Sequence, residues 1–129
     1  MIVVDSSVWI DRLNGVTTDA VNRLDQALYT ELVCVGDIIL LEVLQGARDD
    51  LHARKLRRVM DAFRCLEMLN SDIAIRSAAN FRFLRGKGFT IRKTPDLIIG
   101  TWCIENRVPL LHSDRDFAPM VEHLGLIEF

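Results

Sequence analysis

The chain lacks several features that would place it in a membrane, in a secreted form or among zinc proteins. None of its apolar runs approaches the roughly 18 residues that a membrane-spanning helix needs, and Asp5 stands where a signal peptide would carry basic residues. Its three cysteines, Cys34, Cys65 and Cys103, are odd in number and lack C-x-x-C spacing, so we expect buried free thiols. These absences predict a cytoplasmic protein without a membrane segment.

The sequence also lacks internal repeats, low-complexity segments and any linker rich in proline or glycine. Of its 129 residues, 50% are hydrophobic, which is enough apolar material for a substantial core. We therefore predict one domain that spans residues 1–129.

Short β-rich runs alternate with helical patterns along the chain. We predict strands at residues 2–4, 32–35, 65–69 and 109–112, and a final edge strand at 126–129. Helices are predicted to begin at Ser6 or Ser7, Thr17 to Asp19, Asp37, Asp49 to Asp50, Ser71 and Thr94, with a short one after Asp114. This alternation predicts an α/β fold, a three-layer α/β/α sandwich around a central, mainly parallel sheet.

Four carboxylates interrupt or end apolar runs: Asp5, Glu42, Asp96 and Asp114. Asp and Glu are seldom fully buried unless they are paired or bound to a cation. Ligands gather at the carboxyl ends of parallel strands, and the predicted elements bring all four residues to that edge. Clustered carboxylates repel one another unless a divalent ion such as Mg²⁺ or Mn²⁺ joins them, so metal-dependent phosphate chemistry is the leading hypothesis.

Each carboxylate also has a simpler interpretation. Asp5 and Asp114 are good helix caps, and Asp96 in a first turn complements the helix dipole. Glu42 lies inside an apolar helix, where its alternative is an exposed position. One shared cause explains the four better than four separate accidents. Ser7 and Ser113 are candidates for hydrogen bonds to a ligand carboxylate.

Charge is distributed unevenly along the sequence. Residues 48–93 carry a net charge of +7, and the remainder carries −9. A basic region beside an acidic site suits a protein that holds a polyanion near a metal, although basic residues also simply solvate helix surfaces. The candidates for contacts with RNA phosphates are Arg48, Arg85, Lys87, Arg92 and Lys93.

Four segments, in this order and spacing, resemble the PIN domain family and, within it, the VapC-type toxins of toxin–antitoxin pairs. They are VDSSVWID at the N-terminus, LLEVLQGAR, TPDLIIGTWCIEN and VPLLHSDRDF, and the resemblance extends over essentially the whole chain. One departure concerns His112, since many family members have Thr or Ser at that place.

The resemblance implies an endoribonuclease whose acidic site is Asp5, Glu42, Asp96 and Asp114, with Asp116 as a neighbouring acid. It implies Mg²⁺ or Mn²⁺ as cofactor, held by Asp5, Asp96, Asp114 and Asp116. It also implies structured RNA of the tRNA or rRNA class as substrate, a VapB-type antitoxin as partner, and a homodimer. Apolar residues on several helix faces are compatible with that dimer, namely Val8, Trp9 and Leu13 together with Ile38, Leu41 and Leu44.

Other classes of protein fit the sequence less well. A receiver-type phosphotransfer domain needs a carboxylate pair after the first strand and an acceptor Asp after the third, and this chain has neither. A phosphatase of the haloacid dehalogenase type needs D-x-D, but Ser6 and Ser7 follow Asp5. A catalytically silent, RNA-binding PIN module would be expected to lose one of the four acids, whereas this chain keeps all four.

Overall fold

The computed structural model describes all 129 residues and has a four-stranded, wholly parallel sheet at its centre. The strand order is β3-β2-β1-β4, so the N-terminal strand lies inside the sheet. The strands are β1 (Ile2–Val4), β2 (Val33–Gly36), β3 (Arg64–Leu66) and β4 (Leu110–Leu111). With helices on both faces, the fold is the predicted α/β/α sandwich.

Seven α-helices and one 3₁₀ turn connect the strands. They are α1 (Ser6–Leu13), α2 (Asp19–Thr30), α3 (Asp37–Gln45), α4 (Asp50–Met60), α5 (Ser71–Gly86), α6 (Thr94–Asn106), the 3₁₀ turn Arg115–Phe117 and α7 (Ala118–Leu124). None of these helices combines the length and the apolar character that a membrane crossing requires.

The core lies between the sheet and its helices, and α6 supplies much of it. Residues Leu97 to Thr101 of this helix are all buried. Trp9 and Phe117 are among the largest side chains with no exposed surface. Helix α6 therefore carries Asp96 on a rigid element that begins at the carboxyl edge of the sheet.

Helices α5 and α6 run antiparallel, as two side-chain contacts show. Near the start of α5, Arg76 forms an ion pair with Glu105 near the end of α6 at 3.5 Å. Further along, Asn80 Nδ2 donates to Thr101 Oγ1 at 3.0 Å, closer to the start of α6. The basic C-terminal end of α5 therefore lies beside the first turn of α6.

Several predicted helix caps are displaced by one residue. Gly36 caps α3 without a side-chain bond, whereas Asp37 Oδ1 accepts hydrogen bonds from the N–H groups of Ile38 (2.8 Å) and Met68 (3.1 Å). Asp37 therefore joins the helix start to the segment after β3. The prediction failed because sequence does not show that Met68, 31 residues away, supplies a donor.

The other differences in capping concern three helices. Asn70 rather than Ser71 caps α5, since its Oδ1 accepts from the Ile73 N–H at 2.9 Å. Asp5 rather than Ser6 or Ser7 caps α1. Helix α6 includes Thr94 and has no side-chain cap.

Two expectations about exposed elements were wrong. Cys65 is exposed, because β3 is an edge strand, whereas Cys34 and Cys103 are buried. The final strand is reduced to a single parallel bridge between Leu110 and Glu128, since β4 itself is only two residues long.

The apolar residues proposed for a dimer interface fall into three groups, of which the first, Leu13, Ile38 and Leu44, is half-buried. Val8 and Trp9 have no exposed surface and belong to the core, because α1 packs directly beside α3. Leu41 on α3 is 59% exposed and remains available for a partner.

Candidate metal and catalytic site

Five carboxylates converge at the carboxyl edge of the sheet, and we call them the acidic site: Asp5, Glu42, Asp96, Asp114 and Asp116. Asp5 follows β1 directly, and Asp114 follows β4 after a two-residue turn. Asp96 lies in the first turn of α6, and Glu42 lies on the second turn of α3. Parallel strands end at one edge and the following helices begin there, which explains why residues so distant in sequence meet.

Asp5 is almost completely buried, and its two carboxylate oxygens have different surroundings. Its Oδ2 accepts hydrogen bonds from Ser7 Oγ at 2.7 Å and from the Ser7 N–H at 3.4 Å, so it caps α1. Its Oδ1 is buried with no hydrogen-bond partner. Burial raises the pKa of Asp5, although the hydrogen bonds from Ser7 act in the opposite direction. The capping interpretation is thus correct but leaves one oxygen unexplained.

The hydroxyl groups of Ser7 and Ser113 lie side by side. Their Oγ atoms are 3.4 Å apart, close enough for a hydrogen bond in either direction. Ser7 also holds Asp5, so it belongs directly to the acidic site. Ser113 reaches it through Ser7.

Asp96 is the most perturbed member of the acidic site. It is 4% exposed, and its Oδ2 has no hydrogen-bond partner. Burial, followed by the charges of Asp5 and Asp114, raises the pKa of Asp96 to about 7. Without a cation, this carboxyl is therefore about half protonated at neutral pH, whereas a bound cation would favour its charged form.

Asp96, Asp114 and Asp116 form the most compact part of the acidic site. Each offers one carboxylate oxygen, and these three atoms lie within 4.8 Å of one another. Asp114 also caps the following 3₁₀ turn, because its Oδ1 accepts from the Asp116 N–H at 2.9 Å. Asp5 lies outside this compact group but interacts electrostatically with both Asp96 and Asp114.

Glu42 completes the acidic site from the side of α3. Its Oε1 is buried without a hydrogen-bond partner. Burial raises the pKa of Glu42, and the negative charge of Asp5 adds to this effect. The hydroxyl of Ser6 opposes the rise in this pKa. The sequence indicated Ser6 only as a possible cap and not as a neighbour of Glu42.

The five basic candidates take different positions. Lys93 precedes α6, and its Nζ lies 3.4 Å from Asp114 Oδ2, within the acidic site. Arg92 is its exposed neighbour. Arg85 and Lys87, at the end of α5, lie over the rings of Phe81 and Phe83 respectively. Arg48 is exposed in the connection between α3 and α4 and forms no ion pair with the acidic site.

His112 stabilises the turn that carries Asp114. Its Nδ1 accepts a hydrogen bond from the Asp114 N–H at 3.2 Å, and its ring packs on Phe117 with 4.8 Å between centroids. Its Nε2 is buried without a hydrogen bond and lies 3.5 Å from Glu128 Oε1. The nitrogen acceptor of His112 therefore supports the turn that carries Asp114. The sequence marked His112 only as a departure from the family pattern and gave no sign of this hydrogen bond.

The residues of the acidic site fit a hard divalent cation. Three buried oxygens, Asp5 Oδ1, Glu42 Oε1 and Asp96 Oδ2, lack any hydrogen-bond donor. All the donor atoms are carboxylate oxygens, as Mg²⁺ and Mn²⁺ prefer. The nearby Cys103 is no thiolate ligand, because burial, with the charge of Asp5, raises its pKa to about 12.

A parallel α/β/α fold with clustered carboxylates at the strand ends defines a protein with a candidate cation site for phosphate chemistry. Comparison with known families narrows this class: the PIN domain model matches residues 2–121. The chain belongs to the PIN domain family.

Characterised relatives and solved structures agree with this assignment. VapC ribonuclease Mb1587 of Mycobacterium bovis and ribonuclease VapC11 of Mycobacterium tuberculosis are each 31% identical over 122 residues, which is 91% of this chain and 89% of theirs. VapBC2 of Rickettsia felis, bound to a DNA fragment from its promoter, matches with a TM-score of 0.79 at 15% identity, covering 100% of this chain and 98% of that one. VapBC-1 of Haemophilus influenzae matches with a TM-score of 0.75 at 17% identity, covering 100% and 97% respectively.

Proposed function

We propose that this protein is a Mg²⁺- or Mn²⁺-dependent endoribonuclease and the toxin of a toxin–antitoxin pair, acting in the cytoplasm on structured RNA of the tRNA or rRNA class. We further propose that residues 1–129 act as one catalytic domain. The relatives named VapC are called ribonucleases, which supports the reaction type. The observation that carries the proposal is the convergence of five carboxylates, three of which have a buried oxygen without a partner.

The proposed metal ligands are Asp5, Asp96, Asp114 and Asp116, with Glu42 as the further catalytic carboxylate. A divalent ion held by these carboxylates would lower the pKa of a water molecule and neutralise charge that develops on the phosphate. Asp5 is kept in place by Ser7, and Asp96 by the buried helix α6. Glu42 approaches from the neighbouring helix, where its raised pKa suits proton exchange with water or the leaving oxygen.

The basic residues would position the RNA without reading its bases. Arg92 is exposed two residues before α6, and Arg85 and Lys87 are exposed at the C-terminal end of α5. Contacts of this kind fix the register of a nucleic acid through its phosphates. A single-stranded loop suits such a site, because its backbone can bend towards the carboxylates where a duplex cannot.

Cleavage assays on total cellular RNA test the proposal most directly. We expect the wild-type protein to cut RNA in Mn²⁺ or Mg²⁺ and to be inactive in EDTA. Asp5→Asn and Asp96→Asn should each slow cleavage by about 10²–10³-fold, because every ligand contributes several kcal/mol of transition-state stabilisation. Asp72→Asn is the matched control, since Asp72 is exposed at the start of α5 and makes no ion pair.

Each outcome has a clear meaning. Cleavage that continues unchanged in EDTA would contradict the metal dependence. An Asp5→Asn protein that cuts at the wild-type rate would remove Asp5 from the ligands. RNA that is bound but never cut, with any divalent ion, would favour the catalytically silent module. Mapping the cut sites would identify the RNA and test the tRNA or rRNA class.

A VapB-type antitoxin is the proposed partner. The neighbours from Rickettsia felis and Haemophilus influenzae are VapBC complexes. In this chain, Leu41 and Leu51 are 59% and 56% exposed on α3 and α4, which offers an apolar surface to a partner helix. Expression alone should arrest bacterial growth, and co-expression of the adjacent small open reading frame should restore it. Normal growth with abundant active enzyme would contradict the toxin role but not the nuclease.

The homodimer is also a proposal. It would join two acidic sites and their basic surroundings into one longer RNA surface. Leu41 supports it by exposure, whereas Val8 and Trp9 are unavailable in the core. Sedimentation at tens of micromolar should show a species of twice 14.7 kDa, and a purely monomeric protein would contradict the dimer.

A further inference from the structure

Lys93 is the only basic side chain that forms an ion pair with the acidic site. Its Nζ lies 3.4 Å from Asp114 Oδ2, and no other Lys, Arg or His forms an ion pair with the five carboxylates. The residue immediately precedes α6, so its backbone is held beside Asp96. Its side chain is 61% exposed, which leaves the four-carbon stem free to change direction.

The electrostatic effects on Lys93 come from more than one carboxylate. Asp114, followed by Asp96, raises the pKa of Lys93, and Asp116 adds to the rise. Reciprocally, Lys93 lowers the pKa of Asp96 and of Glu42. One ammonium group therefore contacts Asp114 and interacts electrostatically with all three carboxylates of the compact group.

We propose that Lys93 is an internal counter-cation: it competes with the divalent ion for Asp114 and, once the ion is bound, contacts a phosphate oxygen of the RNA. This inference rests on the proposed nuclease function. It goes beyond the general phosphate contact of the basic residues, because it gives Lys93 two roles with opposite effects.

The competition follows from the geometry. Two cations that bind the same carboxylate repel one another, so a divalent ion on Asp114 weakens the ion pair of Lys93 and favours its displacement. Because the pair is partly exposed, the displacement costs little. Without metal, the ion pair of Lys93 thus offsets part of the repulsion among the carboxylates. The same ion pair lowers the affinity of the acidic site for a metal ion.

The second role follows from the charge that RNA brings. The scissile phosphate adds negative charge beside the carboxylates, and negative charge grows on its oxygens in the transition state. Lys93 is exposed, flexible and already at the edge of the site, so its displaced Nζ is the nearest cation for that charge. Lysine suits this role because it acts as a point charge without fixed bidentate geometry.

Three variants separate the two roles. Lys93→Met removes the charge and keeps the length, and Lys93→Arg keeps the charge. Lys55→Met is the control, because Lys55 is exposed on α4 and forms no ion pair. Mn²⁺ affinity is measured by titration calorimetry without RNA, and kcat and KM are measured with one RNA substrate at saturating Mn²⁺.

We expect opposite changes in Lys93→Met. Its Kd for Mn²⁺ should fall by about 2–5-fold, the size of an exposed ion pair, while kcat should fall by about 10–100-fold, with a smaller change in KM. Lys93→Arg should recover most of kcat. Lys55→Met should match the wild type in both measurements.

Every other result is decisive. A Kd that stays the same or rises in Lys93→Met overturns the competition with metal. A lower Kd with unchanged kcat overturns the phosphate contact. A wild-type protein that binds no Mn²⁺ overturns the metal site and the counter-cation together, whereas normal wild-type binding and cleavage beside unchanged variants overturn only the role of Lys93.

Discussion

Two buried polar groups on α6 have opposite surroundings, although only five residues separate them. The hydroxyl of Thr101 is fully buried and accepts a hydrogen bond from Asn80 at 3.0 Å. The carboxyl of Asp96 is 4% exposed, and its Oδ2 has no partner. A buried polar group with a partner supports the fold, whereas a buried charge without one costs stability.

The contrast between Thr101 and Asp96 is part of a wider difference between the interior and the acidic site. Trp9 Nε1 and Ser77 Oγ also lack partners, but they are single neutral groups. Only at the acidic site do several partnerless oxygens belong to carboxylates that repel one another. A bound cation would satisfy these carboxylate oxygens together.

Of the changes considered, metal binding should have the largest effect on the free energy of unfolding. Mn²⁺ at about 100 times its Kd should raise the free energy of unfolding by about 2.7 kcal/mol, because it binds the folded state. Asp96→Asn should lose most of this gain, and Asp72→Asn should keep it. Thermal melts with and without Mn²⁺ provide the measurement, and an equal gain in Asp96→Asn would contradict the site.

Replacing the partnerless charge should stabilise the metal-free protein. The pKa of Asp96 is raised to about 7 from 3.8, so between these values the folded state holds a proton that the unfolded state has lost. The stability of the wild type therefore falls as pH rises through that window. Asp96→Asn lacks this penalty and should be more stable by about 2 kcal/mol at pH 8, with little difference near pH 4.

Denaturant unfolding in EDTA at several pH values measures this prediction. A difference between the two proteins that does not grow from pH 4 to pH 8 would mean that Asp96 is not perturbed. Asp72→Asn controls for the change in net charge.

Removing the hydrogen-bond partner of Thr101 should destabilise the protein, in contrast to Asp96→Asn. Asn80→Ala leaves a buried hydroxyl unsatisfied and should lower the free energy of unfolding by about 1–2 kcal/mol. Asn22→Ala on the exposed face of α2 controls for the better helix propensity of alanine. Chemical denaturation measures both. Equal stability of Asn80→Ala and Asn22→Ala would show that the hydrogen bond contributes nothing.

The smallest effect is expected at the edge of the acidic site. Ser7→Ala removes the 2.7 Å hydrogen bond that lowers the pKa of Asp5. Asp5 should then hold its proton to higher pH, and the pH midpoint of Mn²⁺ binding should rise. Ser113→Ala, one hydroxyl further from Asp5, should shift the midpoint less. Calorimetric titrations from pH 6 to pH 8 compare the two.

The fold and the convergence of carboxylates were predictable because both follow from local patterns. Each carboxylate interrupts an apolar run, and parallel strands end at one edge. Asp5, Glu42, Asp96 and Asp114 could therefore be brought together without coordinates. The structure confirms the predicted fold class, and the family comparison confirms the predicted family. The catalytic roles of these residues stay predictions.

The remaining features depend on contacts between distant segments. The bond of Asp37 to Met68 displaced a cap, and the edge position of β3 exposed Cys65. Lys93 was chosen only for its charge, and its ion pair with Asp114 depends on how the loop before α6 meets the turn after β4. Side-chain direction in such loops is not encoded in hydrophobic periodicity.

The pairing of the last residues with β4 has a practical consequence for purification. Leu110 N–H donates to Ile127 at 2.9 Å and Phe129 N–H donates to Leu110 at 3.0 Å, so this segment runs parallel to β4. Parallel strands head for the acidic site, so an oligohistidine tag after Phe129 would emerge at that edge and bring its own metal ligands there. A tag placed before Met1 would emerge at the opposite edge of the sheet, away from the acidic site.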